Sequence, residues 1–367
     1  MLLKSWFDRR PRVLVLINLI QDLDLLLPLV DQLRAVSQAV VTVAVVDRAW
    51  RESPRIGVAL AELGIRPRVL SRAAVIGGLQ PSLRGVAALI TASESSCGPH
   101  RAARALTQRA NGTGVATYTL QHGFENVGLT YSDNAYPIEA VSFESKTIFI
   151  WGDLTTLHPQ VPDRTRQRCV PAGCPKGIRP TMQKLSFTHP RQRLVAVFEN
   201  LHWERYDDHY RTQFVTDIAQ AAQQRPDTTF LLKPHHAGRW LTDKSEQPLP
   251  SIDNLVIADP AEPRWERFTA PALIDIADAA ITTPSTVALD AARAGCPVAV
   301  VGYNLKLDNY KPLPILRQTN DWLDWLPLAA QEAPDQTAGQ AFLRRRIIPG
   351  DAVERIVAKV ISAIAPS

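Results

Sequence analysis

Chemically capable residues stand at the ends of apolar runs in this 367-residue chain. TLQHGFEN (Thr119–Asn126) puts His122 directly after one such run, with Glu125 three residues on. An imidazole titrates near neutrality, and a carboxylate can orient it or raise its basicity, so the pair suits general-base work. A histidine hydrogen-bonded inside a loop would carry the same letters. LLKPHH (Leu231–His236) leaves a second run with Lys233, His235 and His236, a cation and imidazole donors that fit a diphosphate or leaving phosphate. Metal binding fits less well, because adjacent histidines point apart and no acidic ligand is near in sequence. Glu199 and Asn200 follow a third run.

The stretch Ile281–Val300, ITTPSTVALDAARAGCPVAV, reads as strand, turn, helix and strand. Pro284 stops the strand and Ser285 sits where a helix N-cap belongs, its hydroxyl able to accept an orphan backbone N–H. The helix is expected from Thr286, with Gly295 ending it and Pro297 beyond. Free N–H groups, the positive dipole end and the hydroxyls of Ser285 and Thr286 make an anion site, and phosphate is the usual anion at a strand–helix turn. A capped helix without a ligand is the plain alternative. Asp290 lies where it could reach ribose hydroxyls, or be a solvated helix acid.

These residues need a scaffold that gathers strand ends. Runs at Arg12–Ile17, Val40–Val46, Val69–Leu70, Gly85–Thr91, Gly114–Leu120 and Thr147–Trp151 alternate with helical segments, as in a parallel sheet covered on both faces. The same alternation restarts at Leu194–Phe198 and continues through Thr229–Leu232, Leu255–Ala258 and the stretch at 281–300. Val161–Arg193, rich in Pro, Arg and Lys, has no apolar period, so the hinge is expected within Gly173–Arg193. The expectation is two α/β domains facing each other across a cleft, with Asp351–Ile364 as a closing amphipathic helix. Pro28, inside the first helical pattern, is expected in a first turn. Asp22-Leu23-Asp24 has the letters of a D-x-D metal motif but precedes a leucine-rich helix, so it reads as helix N-terminal charge.

Composition narrows the classes. With 46% hydrophobic and 21% charged residues the chain can bury substantial cores and is not disordered. Net charge is only +5, with no basic stripe interleaved with aromatics, so nucleic acid is not an expected partner. The four cysteines are scattered at spacings that match no zinc or redox motif. No glycine-rich dinucleotide fingerprint, Walker loop or G-x-S-x-G elbow occurs. No apolar run reaches membrane-spanning length, and MLLKSWFDRR lacks a signal-peptide core, so a cytoplasmic protein is expected. Basic–apolar residues in the first twelve positions and Arg344–Arg346 would suit the inner face of an anionic membrane, or simply solvent.

Taken in order, these motifs resemble the GT-B glycosyltransferase superfamily, and within it the capsule and teichoic-acid CDP-glycerol glycerophosphotransferases and the CMP-Kdo and CMP-sialic acid transferases. QHG resembles their His-Gly motif, AGCPK (Ala172–Lys176) their G-x-P-R turn, KPHH their K-P-H-P, and STVALDAARAGCPVAV their S-x-x-x-x-D-x-x-x-x-x-P-V stretch. His236 stands where the family has proline. The resemblance implies Rossmann-like domains at 1–183 (acceptor side) and 184–350 (donor side), with a closing helix at 351–367. It implies His122 or Glu125 as base, Lys233, His235, Ser285 and Thr286 on the nucleotide phosphates, and Asp290 on the ribose. His236, Glu199 and Asn200 join the nucleotide-side candidates by their place at strand ends.

The implied activity is glycosyl or glycerophosphoryl transfer without metal or cofactor, in synthesis of a bacterial surface polysaccharide. Donor sugars carried on CMP or CDP are preferred, with UDP open, and the acceptor is a saccharide or lipid-linked. A UDP-sugar 2-epimerase shares the architecture and would release UDP without an acceptor, and a non-catalytic nucleotide-binding protein is the third reading.

Overall fold

A computed structural model describes residues 10–132, 136–177, 193–235, 240–244, 250–259, 262–265, 268–329 and 338–364. The chain divides into two compact units, Met1–Gly177 with Arg346–Ser367, and Ile178–Arg345.

In the first unit, β1 (Arg12–Ile17), β2 (Val40–Val46), β3 (Arg68–Leu70), β4 (Val86–Thr91), β5 (Ala116–Leu120), β6 (Thr147–Ile150) and β7 (Cys169–Pro171) form one sheet. Their order is β3-β2-β1-β4-β5-β6-β7, and every pairing is parallel. Parallel strands need helical crossovers that cover both faces, which is why β1 is an unbroken apolar run buried from Val13 to Ile17. One face packs Leu14, Leu16, Ala44 and Leu89 against Ala103 and Leu106 of the helix Arg101–Gly112. Strand β7 was not anticipated: its segment shows no apolar period, yet three residues there pair with β6 in register Ile148 to Cys169.

The second unit repeats the plan. β8 (Arg193–Phe198), β9 (Thr228–Lys233), β10 (Leu255–Ile257), β11 (Ala279–Thr282), β12 (Val298–Val301) and β13 (Ile315–Leu316) lie in the order β10-β9-β8-β11-β12-β13, again parallel. The helix Asp208–Gln224 is capped by Asp207, whose carboxylate accepts the Tyr210 N–H at 2.7 Å. Tyr210, Phe214 and Ile218 of that helix enter a core with Phe230, Ile281 and Trp322. In both sheets the chain runs outward one way, then returns past the first strand and continues the other way. The switch point lies between β1 and β4 in one unit and between β8 and β11 in the other.

Two helices hold an internal proline, and each solves the same problem. Pro28 is the seventh residue of Asp22–Val36, past the first turn where it was expected. It has no N–H for the carbonyl of Asp24, four residues back. That carbonyl accepts instead from the Gly177 N–H at 3.2 Å. Pro327, inside Thr319–Ala329, strips the Leu323 carbonyl in the same way, and the Arg225 guanidinium fills it at 3.0 Å.

The closing helix runs from Ala352 to Ile364 and packs on Asp22–Val36, so the chain ends in its first unit. No helix among the described residues is long and apolar enough to cross a membrane. Of the two basic–apolar clusters, positions 1–9 lie outside the described residues, and Arg344 and Arg345 are exposed on the helix Ala338–Arg346.

Candidate functional site

In the first unit the carboxyl ends of β1, β4 and β5 carry a buried polar network. Asp22, read from sequence as helix charge, does open its helix but is fully buried. One carboxylate oxygen accepts the N–H groups of Asn18 and Leu19, each at 2.9 Å, and the other accepts the Ser93 hydroxyl. The carboxyl thus ties β1 to β4 across the switch point. Burial pushes it up to about 6, against the pull of those hydrogen bonds. Asp24, the other acid of the D-x-D letters, forks onto Arg55 at 3.0 and 3.1 Å. Glu94 turns inward, accepting the backbone N–H groups of Glu144 and Ser145 and the Ser145 hydroxyl. Burial is also what raises its carboxyl.

His122 follows β5 as expected, its N–H held by the Asn126 amide oxygen at 2.9 Å. Asn126 is fixed in turn by the Thr130 hydroxyl at 2.8 Å. The ring of His122 meets His100 edge to face, centroids 5.1 Å apart at 87°. His122 keeps part of its surface, yet the protein atoms crowding its ring push its basicity down to about 4, and burial takes His100 to about 3. The imidazole is therefore neutral at pH 7, the form a base needs. Its lowered basicity is opposite in sign to what a carboxylate partner produces. Glu125 lies on the same loop and is partly exposed.

In the second unit Asn200 spans the switch point. Its amide oxygen accepts the hydroxyls of Thr283 at 2.5 Å and Tyr206 at 2.7 Å, and its NH2 donates to the Pro284 carbonyl at 3.1 Å. Glu199 is buried, and its carboxylate accepts the N–H groups of Leu201 at 2.6 Å and His235 at 3.2 Å. It braces the chain after β9 at His235 from the neighbouring strand end, and burial pushes it up to about 7. Lys233 ends β9; burial pushes its ammonium down to about 8, with Asp259 opposing. His235 stacks on His202 at 4.6 Å. His236 lies outside the described residues.

Beyond β11 the helix spans Val287–Arg293, one residue later than expected, with Thr286 rather than Ser285 at the N-cap position. The Ser285 hydroxyl still takes an orphan donor, the Val287 N–H at 3.2 Å, and shares a hydrogen bond of 3.0 Å with Thr282. Ser285 and Thr286 are both partly exposed, whereas Asp290 is buried and is not a solvated acid. Beyond β12, Tyr303 stands in the left-handed region at φ 36°. Its hydroxyl donates to buried Asp217 at 2.7 Å and its carbonyl accepts from Arg317 at 2.6 Å, which holds that conformation. Each sheet therefore gathers its own candidates: His122 and Glu125 in the first, Glu199, Asn200, Lys233, His235, Ser285, Thr286 and Asp290 in the second. A hollow lined by Arg193, Asp227, Asp278 and Pro327 is at the opposite, amino edge of the second sheet. Among the described residues no group of three or more His, Cys, Asp or Glu is placed to hold a metal ion.

Sequence reasoning missed Asn18, Ser93, Ser95 and His100. For Ser93 and Ser95 the available signal was the run TASESS, polar residues directly after a buried strand.

No protein-family model and no curated protein matches the chain. Solved structures do. UDP-GlcNAc 2-epimerase from Neisseria meningitidis, bound to UDP-GlcNAc, superposes with a TM-score of 0.65 at 12% identity, over 96% of this chain and 100% of the other. The same enzyme from Methanocaldococcus jannaschii, with UDP-GlcNAc and UDP, gives 0.64 at 10%, over 96% and 99%. The wall teichoic acid polymerase TagF gives 0.57 at 12%, over 97% and 89%. The fold is GT-B. It consists of two Rossmann-like α/β domains, as the alternation of strands and helices implied. At these identities the likeness speaks for the GT-B fold alone, and it reaches epimerases and a polymerase alike.

Proposed function

We propose that this protein is an enzyme acting on a UDP-activated sugar, with the nucleotide held at the carboxyl edge of its second sheet. The observation that supports this most is the place of Lys233, a half-buried ammonium at the carboxyl end of β9 whose basicity burial lowers against the pull of Asp259. A cation so placed gains more from a diphosphate than one in water does. Ser285 and Thr286, partly exposed beyond β11, add hydroxyl donors at the neighbouring switch point. UDP takes precedence over the CMP or CDP first expected, because UDP-GlcNAc and UDP are the ligands named for the epimerase structures of like fold.

Two reactions share this cargo. Epimerisation at C2 has the support of the fold likeness, higher for the epimerases than for the polymerase. It must remove the C2 proton and return it on the other face, which calls for acid and base groups beside the sugar. Transfer to an acceptor hydroxyl has the support of a particular observation in the first unit. Asp22 and Glu94 are committed to backbone N–H groups and serine hydroxyls, so the candidate bases at that edge are neutral His122 and Glu125 on the loop after β5. The membrane-side and surface-polymer expectations belong to this second reading.

Incubation with UDP-GlcNAc in D2O separates the two. Deuterium at C2 of the recovered nucleotide sugar and its epimer marks epimerisation. UDP release stimulated by a saccharide or lipid-linked acceptor, with no deuterium at C2, marks transfer. Absence of both, together with no thermal shift by UDP, would overturn the proposal.

A further inference from the structure

Ser95 and His100 are conspicuous among the polar groups of the first unit because the proposed chemistry leaves them unused. The buried Ser95 hydroxyl lies 2.7 Å from His100 Nδ1. The same oxygen accepts the Cys97 N–H at 3.2 Å. With one lone pair so occupied, the hydroxyl's own proton has Nδ1 as its acceptor. The reverse arrangement, with Nδ1 protonated, would strand that proton in a buried site. Neutral His100 is then fixed as the Nε2–H tautomer. Its ring meets His122 at 87°, and protonation of either ring works against the other.

We infer that His100 is a positioning residue for His122, held in one tautomer by Ser95 and in turn fixing the orientation of the His122 ring. This rests on the reading of His122 as the base, and it is tested in a way that does not need turnover. Nitrogen-15 spectra of the histidine side chains report tautomer and ring environment directly. His100 should show an unprotonated, hydrogen-bonded Nδ1 and a protonated Nε2. Ser95→Ala should mix the tautomers and shift the His122 ring signals, and His100→Gln should shift those signals further. A Nδ1-protonated His100, or His122 signals indifferent to Ser95→Ala, would overturn the inference. Ser95→Ala removes one hydroxyl only, so it decides the matter if His100→Gln does not fold. Once a substrate is turned over, His100→Gln should lower kcat by about tenfold or more with KM for the nucleotide sugar nearly unchanged. An unchanged kcat would contradict the positioning role even with the tautomer as stated. If no nucleotide sugar is turned over, the reading of function fails while the spectra still decide this one.

Discussion

The guanidinium of Arg225 donates to the carbonyl of Leu323, the group that Pro327 deprives of its helical partner. Arg225→Gln should therefore expose an unsatisfied carbonyl and cost about 1–2 kcal/mol, some 2–8 °C in the unfolding of the second unit. Replacing Pro327 by alanine restores an N–H to that carbonyl. In the Pro327→Ala background the cost of Arg225→Gln should fall markedly, a coupling that a double-mutant cycle reads. Equal costs in both backgrounds would show that the arginine does not substitute for the missing helical bond.

Glu199 supplies a pH signature. Its buried carboxyl is raised from 4.5 to about 7, so folding favours its protonated form. The destabilisation is absent below pH 4.5, grows as pH rises, and is complete above about 7. Glu199→Gln cannot ionise. Its stability relative to wild type should rise between pH 4 and pH 8, by at most about 3 kcal/mol. Denaturant unfolding at several pH values measures this, and a gap independent of pH would refute it.

His122→Ala should leave UDP affinity nearly intact while lowering turnover about 10²–10⁴-fold, the usual range for loss of a general base. Because burial holds the ring near 4, the acid limb it sets in kcat/KM should lie well below the usual imidazole range. Glu125→Gln should have the smaller effect if Glu125 is not itself the base. Weakened nucleotide binding with unchanged turnover in His122→Ala would reverse the roles given to the two units.

Much of this was legible because parallel strands buried on both faces read as unbroken apolar runs, so the ends of β1, β5 and β8 were evident within a residue or two. The edge strands β7 and β13 were not, having three and two residues and no period to read. The helix Thr319–Ala329 was hidden by Pro327, whose missing bond is repaired by a residue about a hundred positions earlier. Burial is equally invisible in letters. Asp22 and Asp290 look like ordinary helix acids, yet both are enclosed, and Asp22 ties β1 to Ser93 across the switch point. His100 and His122 are far apart in sequence and meet only because β4 and β5 are neighbours.

The central claim is that the second unit carries a UDP-type nucleotide, and calorimetric titration tests it most directly. UDP, CDP and CMP would be titrated into the wild-type chain, into Lys233→Ala, and into a Ser285→Ala, Thr286→Ala double variant. The prediction is that UDP binds most tightly and that either change weakens it roughly 10–100-fold, the loss of one or two hydrogen bonds to a charged group. Binding of none of the three nucleotides, or UDP binding indifferent to both changes, would contradict the account.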